Sequence, residues 1–319
     1  MTSGPIVSHD PVAAGVETAR LTRRAAVASS SVAITLIVLK TGGWWITGSV
    51  ALLSSLVDSL LDAVLSLVTL MAVHKAAKPA DREHRWGHGK VESVAALAQG
   101  AFIGVSATVV LIECARRLID PVPVRQEAFG IAVSLIAVVA GVCLVAYQTR
   151  IVRITRSEAI AADRAHYGSD FAINGGVVIS LLVAGYGGVW WVDPLIGAGI
   201  ATWMAWTAYG IGRRAVNTLM DHELPDAERA RIRDMALADP EVRGIRDLRT
   251  RRSGADTFIQ MILLVDGEMS VSAAHRVVDR VEKRVCEAYP SVEVLIHEEP
   301  ETLAEERSTA RRPGSRHAR

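Results

Sequence analysis

The stretch Leu53-Ser54-Ser55-Leu56-Val57-Asp58-Ser59-Leu60-Leu61-Asp62-Ala63-Val64-Leu65 sets two carboxylates inside an otherwise apolar run. Asp58 and Asp62 are four residues apart, so a helix stacks them on one face. The surrounding run, Ser49 to Val73, exceeds the length of about 20 residues that a helix needs to cross a bilayer. An aspartate at the centre of such a span costs roughly 2.5–3.5 kcal/mol on insertion scales. Two on one face, with no Lys or Arg close by in sequence, require compensation from outside the segment, by a cation or by protons.

Composition places that stretch in a membrane protein. The chain has 319 residues, 50% of them hydrophobic and 22% charged, with a mean hydropathy of +0.27. Net charge is +1, which gives no electrostatic footprint for nucleic acid. Cys114, Cys143 and Cys286 are isolated, with no CxxC pair, and read as small packing residues. No cleavable leader is visible in the first 20 residues, which carry His9, Asp10 and Glu17 and no apolar core.

Six apolar runs predict six membrane helices, over roughly Ala25–Thr47, Ser49–Val73, Ser93–Ala115, Ala128–Tyr147, Ala159–Tyr186 and Val189–Ile211. The fifth carries Asp163, Arg164, His166 and Asp170 in its first half. Orientation follows from the short loops. Positive charge collects at Arg20, Arg23 and Arg24, at Lys75 to Lys90, at Arg150 to Arg156, and at Arg213 and Arg214. The alternate turns are free of it, apart from Arg116, Arg117 and Arg125, and carry Trp44-Trp45 and Trp190-Trp191 as interfacial aromatics. Both termini are therefore expected on the cytoplasmic side of the inner membrane.

Past Arg214 the pattern becomes that of a soluble domain. Pro225–Ala238 and Val271–Ala288 read as helices; Ile245–Arg251, Thr257–Val265 and Val292–His297 read as strands, the first two joined at Ser253-Gly254. The fold class is thus an all-α six-helix transmembrane bundle followed by a small α+β domain of order αββαβ. The boundaries are a disordered tail over 1–20, the bundle over 21–213, the cytoplasmic domain over 214–300, and a second disordered tail over 301–319.

A second pair of polar residues answers the first. His166 and Asp170 are again four apart, and with Asp58 and Asp62 they supply four N/O ligands, the number a tetrahedral Zn²⁺ takes. The competing account pairs these side chains with the basic residues at membrane depth, Lys40 and Arg164; the expectation is instead that no fixed basic residue compensates them. In the second cytoplasmic loop, Asp81, His84 and His88 can hold a further cation, or can be a polar loop at the membrane surface. Gly87-His88-Gly89-Lys90 lacks the spacing of a phosphate loop, so no nucleotide is expected.

Asp58-xxx-Asp62, the loop Asp81-xx-His84-xxx-His88-Gly89-Lys90, and His166-xxx-Asp170 together resemble the cation diffusion facilitator family, and within it the bacterial iron/zinc-type members. The likeness covers about residues 20–300. It implies a homodimeric exporter of divalent metal, a secondary transporter and not an enzyme, driven by proton antiport with H⁺ as counter-ion and no bound cofactor. It implies a transport site of Asp58, Asp62, His166 and Asp170, and a loop site of Asp81, His84 and His88. Lys90 and Asp221 match a charge pair that ties the two subunits together.

The resemblance breaks in the tail domain. Relatives place histidines where this chain has Arg246 and Ile262, leaving His275, His297 and Glu299 at the other liganding positions. A full binuclear site is not expected, because an arginine repels cations and an isoleucine cannot coordinate one. Either a single ion on His275, His297 and Glu299 remains, or Arg246 replaces part of the metal's charge by pairing with Glu299. Zn²⁺ is the expected cargo, exported by alternating access. Fe²⁺, Cd²⁺ or manganese export by the same machinery is the alternative, and a metal-sensing scaffold that does not transport is another.

Overall fold

A computed structural model of the chain describes residues 11–47, 50–120, 128–187, 191–289 and 291–302. Arg125, Trp190, most of the second expected tail and the first ten residues lie outside the described residues. The elements run α1 (Pro11–Thr47), α2 (Val50–Ala76), α3 (Val91–Ile119), α4 (Ala128–Thr155), α5 (Glu158–Gly187), α6 (Val192–Leu219), α7 (Asp226–Leu237), β1 (Gly244–Ser253), β2 (Asp256–Val265), α8 (Val271–Ala288) and β3 (Val292–Pro300).

Several helices outrun their apolar stretches. Helix α1 starts at Pro11, so residues 11–20, expected in a disordered tail, are helical. Proline is well suited to a first helical position, where its missing N–H costs nothing. Helix α6 continues to Leu219, and Thr18–Leu219 forms one compact unit. The boundary thus falls after Leu219 and not at 213/214, because the helix hydrogen-bond ladder continues beyond the apolar segment.

Four of the six long helices hold stretches long and apolar enough to cross a membrane: Glu17–Ile46, Leu56–Ala76, Val91–Ile119 and Val138–Thr155. That measure does not single out α5 or α6 among the described residues. The first half of α5 carries Glu158, Asp163, Arg164, His166 and Asp170, of which His166 and Asp170 enter the site described below.

Small side chains bring the bundle helices close. Gly100 on α3 faces α6 so tightly that an added Cβ would stand 3.2 Å from Ile211 Cγ2 and 3.4 Å from the Ala208 carbonyl oxygen. The Gly100-xxx-Gly104 motif therefore serves packing within one chain, where small residues let membrane helices approach. Trp203 and Trp206 are exposed.

Polar groups fix the helix register at two levels. Near the start of α5, Ser93 Oγ donates to Glu158 at 2.6 Å, Thr218 Oγ1 donates to the same carboxylate at 2.6 Å, and Ser157 donates to buried Glu92. These bonds join α3, α5 and α6. One turn further along α5, Asp163 is fully buried and accepts from Gln148 Nε2 on α4 at 2.6 Å and from Gln99 Nε2 on α3 at 3.5 Å. A buried carboxylate left without donors would be costly, so this network sets the rotation of α5.

In the C-terminal domain β1 and β2 form an antiparallel hairpin, turning at Gly254 with a φ of +61°, and β3 joins β2 in parallel. The crossover is α8. Its Ala274, Val277, Val278, Val281 and Val285 are buried in the core with Ile259 and Leu263 of β2. Ser270 caps α8 by accepting from the Ala273 N–H. The αββαβ order read from the sequence is the one observed.

Candidate metal centre

Helices α2 and α5 present their four-residue pairs to one cavity of about 540 Å³, lined by Asp58, Asp62, His166 and Asp170. His166 is 3% exposed. Its Nε2 lies 3.1 Å from Asp62 Oδ1 and 3.7 Å from Asp170 Oδ2. The three ligand atoms offered by Asp62, His166 and Asp170 all lie within 4.8 Å of one another. Ligands bonded at 2.0–2.1 Å in a tetrahedron stand about 3.3 Å apart, so these separations suit one small divalent ion. Asp58 lines the same cavity but stands outside that group of three.

Neighbouring rings hold His166 in place. Phe102 meets it edge-on, with ring centroids 5.7 Å apart. The next residue, Tyr167, has its hydroxyl 3.0 Å from Ser66 Oγ on α2 and donates to the Ser29 carbonyl of α1 at 3.2 Å. The ring of Tyr167 thereby ties α5 to α1 and α2, two of the helices that line the cavity.

A basic side chain also reaches the cavity. Lys40 of α1 is buried and lines it, with Nζ donating to Ser59 Oγ at 2.6 Å. The expectation that no fixed basic residue accompanies the aspartates is therefore corrected. The sequence marks Lys40 as a basic residue at membrane depth, but only the packing of α1 on α2 shows that it reaches this cavity. Asp163, Gln99 and Gln148 were likewise unassigned as a network from sequence; their one signal was polar side chains in otherwise apolar runs.

Asp81, His84 and His88 converge within a single loop, their ligand atoms again within 4.8 Å of one another. Asp81 Oδ1 accepts from the backbone N–H groups of His84 at 2.6 Å and Glu83 at 3.0 Å and lies 3.3 Å from His84 Nδ1. The His84 N–H, followed by that of Glu83, holds the Asp81 carboxyl below the usual carboxylate range. His88 is buried, and its Nε2 sits 3.2 Å from Asp81 Oδ2 without an aligned hydrogen bond. A ring nitrogen and a carboxylate oxygen at that separation can share one cation. Gly87, with a φ of +77°, supplies the left-handed turn that folds His88 back.

The tail-domain residues are placed differently. His275 is exposed and pairs with Asp279 at 3.6 Å, while His297 on β3 stands opposite Ile262 in the sheet register. Among the described residues, His275, His297 and Glu299 form no ligand group. Buried Glu299 instead accepts from Arg246 Nη1 at 3.4 Å, the pairing foreseen as a replacement for metal charge. Lys90 Nζ donates to the Leu219 carbonyl at 3.2 Å, and Asp221 accepts from Arg251 at 3.2 Å.

Residues 26–220 match the cation efflux transmembrane domain, and residues 224–301 match the cytoplasmic domain of cation efflux proteins. The chain belongs to the cation efflux family. It is 42% identical over 281 residues to the cation-efflux pump FieF of Cronobacter sakazakii, covering 88% of this chain and 93% of the relative. It is also 42% identical to FieF of Salmonella newport over 283 residues, with the same coverage. A solved structure of CzrB in its Zn form is 35% identical over 26% of this chain and 94% of its own, with a TM-score of 0.24. The protein is accordingly a multi-pass membrane transporter of metal cations and not an enzyme.

Proposed function

We propose that the protein exports divalent metal ions from the cytoplasm in exchange for protons, with Zn²⁺ as preferred cargo and Fe²⁺ or Cd²⁺ as further cargo. The observation that carries this reading is the convergence of Asp62, His166 and Asp170 from two helices on one cavity. Asp58 is the fourth ligand, one helical turn from Asp62 and on the same cavity wall. The FieF relatives are cation-efflux pumps, which supports the direction of transport.

The coupling follows from ligand chemistry. Carboxylate and imidazole must be unprotonated to bind metal. Metal entering from the cytoplasm therefore displaces protons from Asp58, Asp62, His166 and Asp170. When the cavity opens to the more acidic outer side, protons return and the ion leaves. One histidine among the donors favours Zn²⁺ over Mn²⁺, which prefers oxygen, while the three aspartates keep Fe²⁺ and Cd²⁺ within reach.

In this reading all six long helices span the inner membrane, with both termini cytoplasmic. The support is the length of α5 and α6, at 30 and 28 residues, and the Lys and Arg bias of the alternate loops. The chain works as a homodimer, which the matched cytoplasmic domain supports, with Lys90 and Asp221 as charges that steady it. Asp81, His84 and His88 hold a second ion that loads or regulates the cavity.

The test is metal-driven proton flux in proteoliposomes under a pH gradient. Zn²⁺ is expected to drive flux through the wild-type protein, and Asp58→Ala and Asp170→Ala to reduce it to background while remaining folded dimers. Full flux in Asp58→Ala would sink the four-ligand site. Metal binding without any flux in the wild type would favour a sensor.

A further inference from the structure

A lysine in a membrane helix needs a reason. Its ammonium is costly to bury, and intramembrane cations therefore pair with acidic groups or line polar cavities. Lys40 is 8% exposed. Its Nζ is held at 2.6 Å by Ser59, itself buried and flanked on the same helix by Asp58 and Asp62. Asp58, Asp62 and Asp170 face the same cavity as that nitrogen. Lys40 lines the same cavity as the four ligands, yet an ammonium has no lone pair and cannot be a ligand itself. What it brings to the cavity is a positive charge, held in place by Ser59.

We propose that Lys40 is the resident counter-cation of the transport cavity and fixes at two the charge of the ion that the cavity accepts. This inference rests on the reading of Asp58, Asp62, His166 and Asp170 as the transport site. With metal bound, three carboxylates and a neutral imidazole carry a charge of −3. The ammonium reduces that to −2, which a divalent ion neutralises completely. A monovalent ion leaves the loaded cavity negative and a trivalent ion leaves it positive. Either residue of charge is penalised in a poorly solvated interior. The ammonium also repels the cargo, so it keeps a site with three carboxylates from holding its ion too tightly to release it.

Coulomb repulsion scales with the charge of the bound ion, which gives the inference a specific readout. Purified full-length protein in detergent is titrated with Zn²⁺, Cd²⁺ and the trivalent Tb³⁺ by calorimetry, as wild type and as Lys40→Met, Lys40→Gln and Lys40→Arg. All variants carry His88→Ala to remove the loop ion. Neutral substitution is expected to tighten Zn²⁺ and Cd²⁺ binding by about tenfold or more and to tighten Tb³⁺ binding by a larger factor, while Lys40→Arg stays near wild type. In proteoliposomes the neutral variants lower KM and lower the maximal rate, because the ion leaves slowly. Equal or weaker affinity for every ion in a neutral variant that remains a monodisperse dimer overturns the proposal. If Lys40→Met does not fold, Lys40→Gln carries the same test. Failure of the underlying site is separately visible: the Lys40 wild-type form would then bind no Zn²⁺ that Asp170→Ala abolishes.

Discussion

The cavity cluster and the loop cluster are built from the same two residue types and have nearly the same ligand separations, yet the chain assembles them in opposite ways. Asp62 and His166 come from separate helices and meet 3.1 Å apart only because α2 packs on α5. Asp81, His84 and His88 meet within one loop, held by backbone N–H groups and the turn at Gly87. A site between helices changes whenever the helices move. A site within one loop keeps its geometry while they do. The first is suited to binding and releasing an ion in alternation, the second to holding one.

The largest expected effect separates the clusters outright. His166→Ala should abolish metal binding in the cavity and transport, while the loop ion stays bound; calorimetry should read one binding event fewer per chain. His88→Ala should do the reverse, removing the loop ion and lowering transport without ending it. Loss of both ions in either variant would break the comparison.

A third test touches no ligand. Gln148→Leu leaves the buried Asp163 carboxylate one donor short, at a cost of about 1–3 kcal/mol in stability. Because that network sets the rotation of α5, Zn²⁺ affinity should fall in the cavity and remain unchanged in the loop. Equal weakening at both sites, followed by thermal unfolding and calorimetry, would count against the division.

The smallest effect concerns acid. The folded Asp81 carboxyl is held below its unfolded value, so its contribution is present above the unfolded pKa and is lost only as pH falls through the lower folded one. Between pH 5 and 7, Asp81 stays ionised, and Asp81→Asn should weaken the loop ion by a constant factor without reshaping its pH profile. A profile whose midpoint shifts in Asp81→Asn would show that Asp81 itself titrates in that window.

The tail domain shows how far single residues can be read. Arg246 and Glu299 lie far apart in sequence, and the family resemblance left two alternatives there, a single bound ion or an Arg246–Glu299 pair. Residues of β1 and β3 become neighbours across β2, and the predicted ion pair forms at 3.4 Å. Glu299→Gln removes the carboxylate opposite a half-buried Arg246 and should lower the stability of the domain by roughly 1–3 kcal/mol, read by thermal unfolding.

Local spacing was enough for the rest of what the sequence determined. Helical periodicity puts Asp58 over Asp62 and His166 over Asp170, and the cost of carboxylates in apolar runs marks both pairs as a site. Alternating and helical patterns likewise give the αββαβ order. Tertiary packing alone decided three things: that Asp58 stands outside the closest group of ligands, that Asp163, Gln99 and Gln148 form one network, and that Lys40 shares the cavity with the aspartates. Each depends on how one helix is rotated against another. That rotation is set by side-chain fit and buried hydrogen bonds across the bundle, to which the period of a single helix is blind.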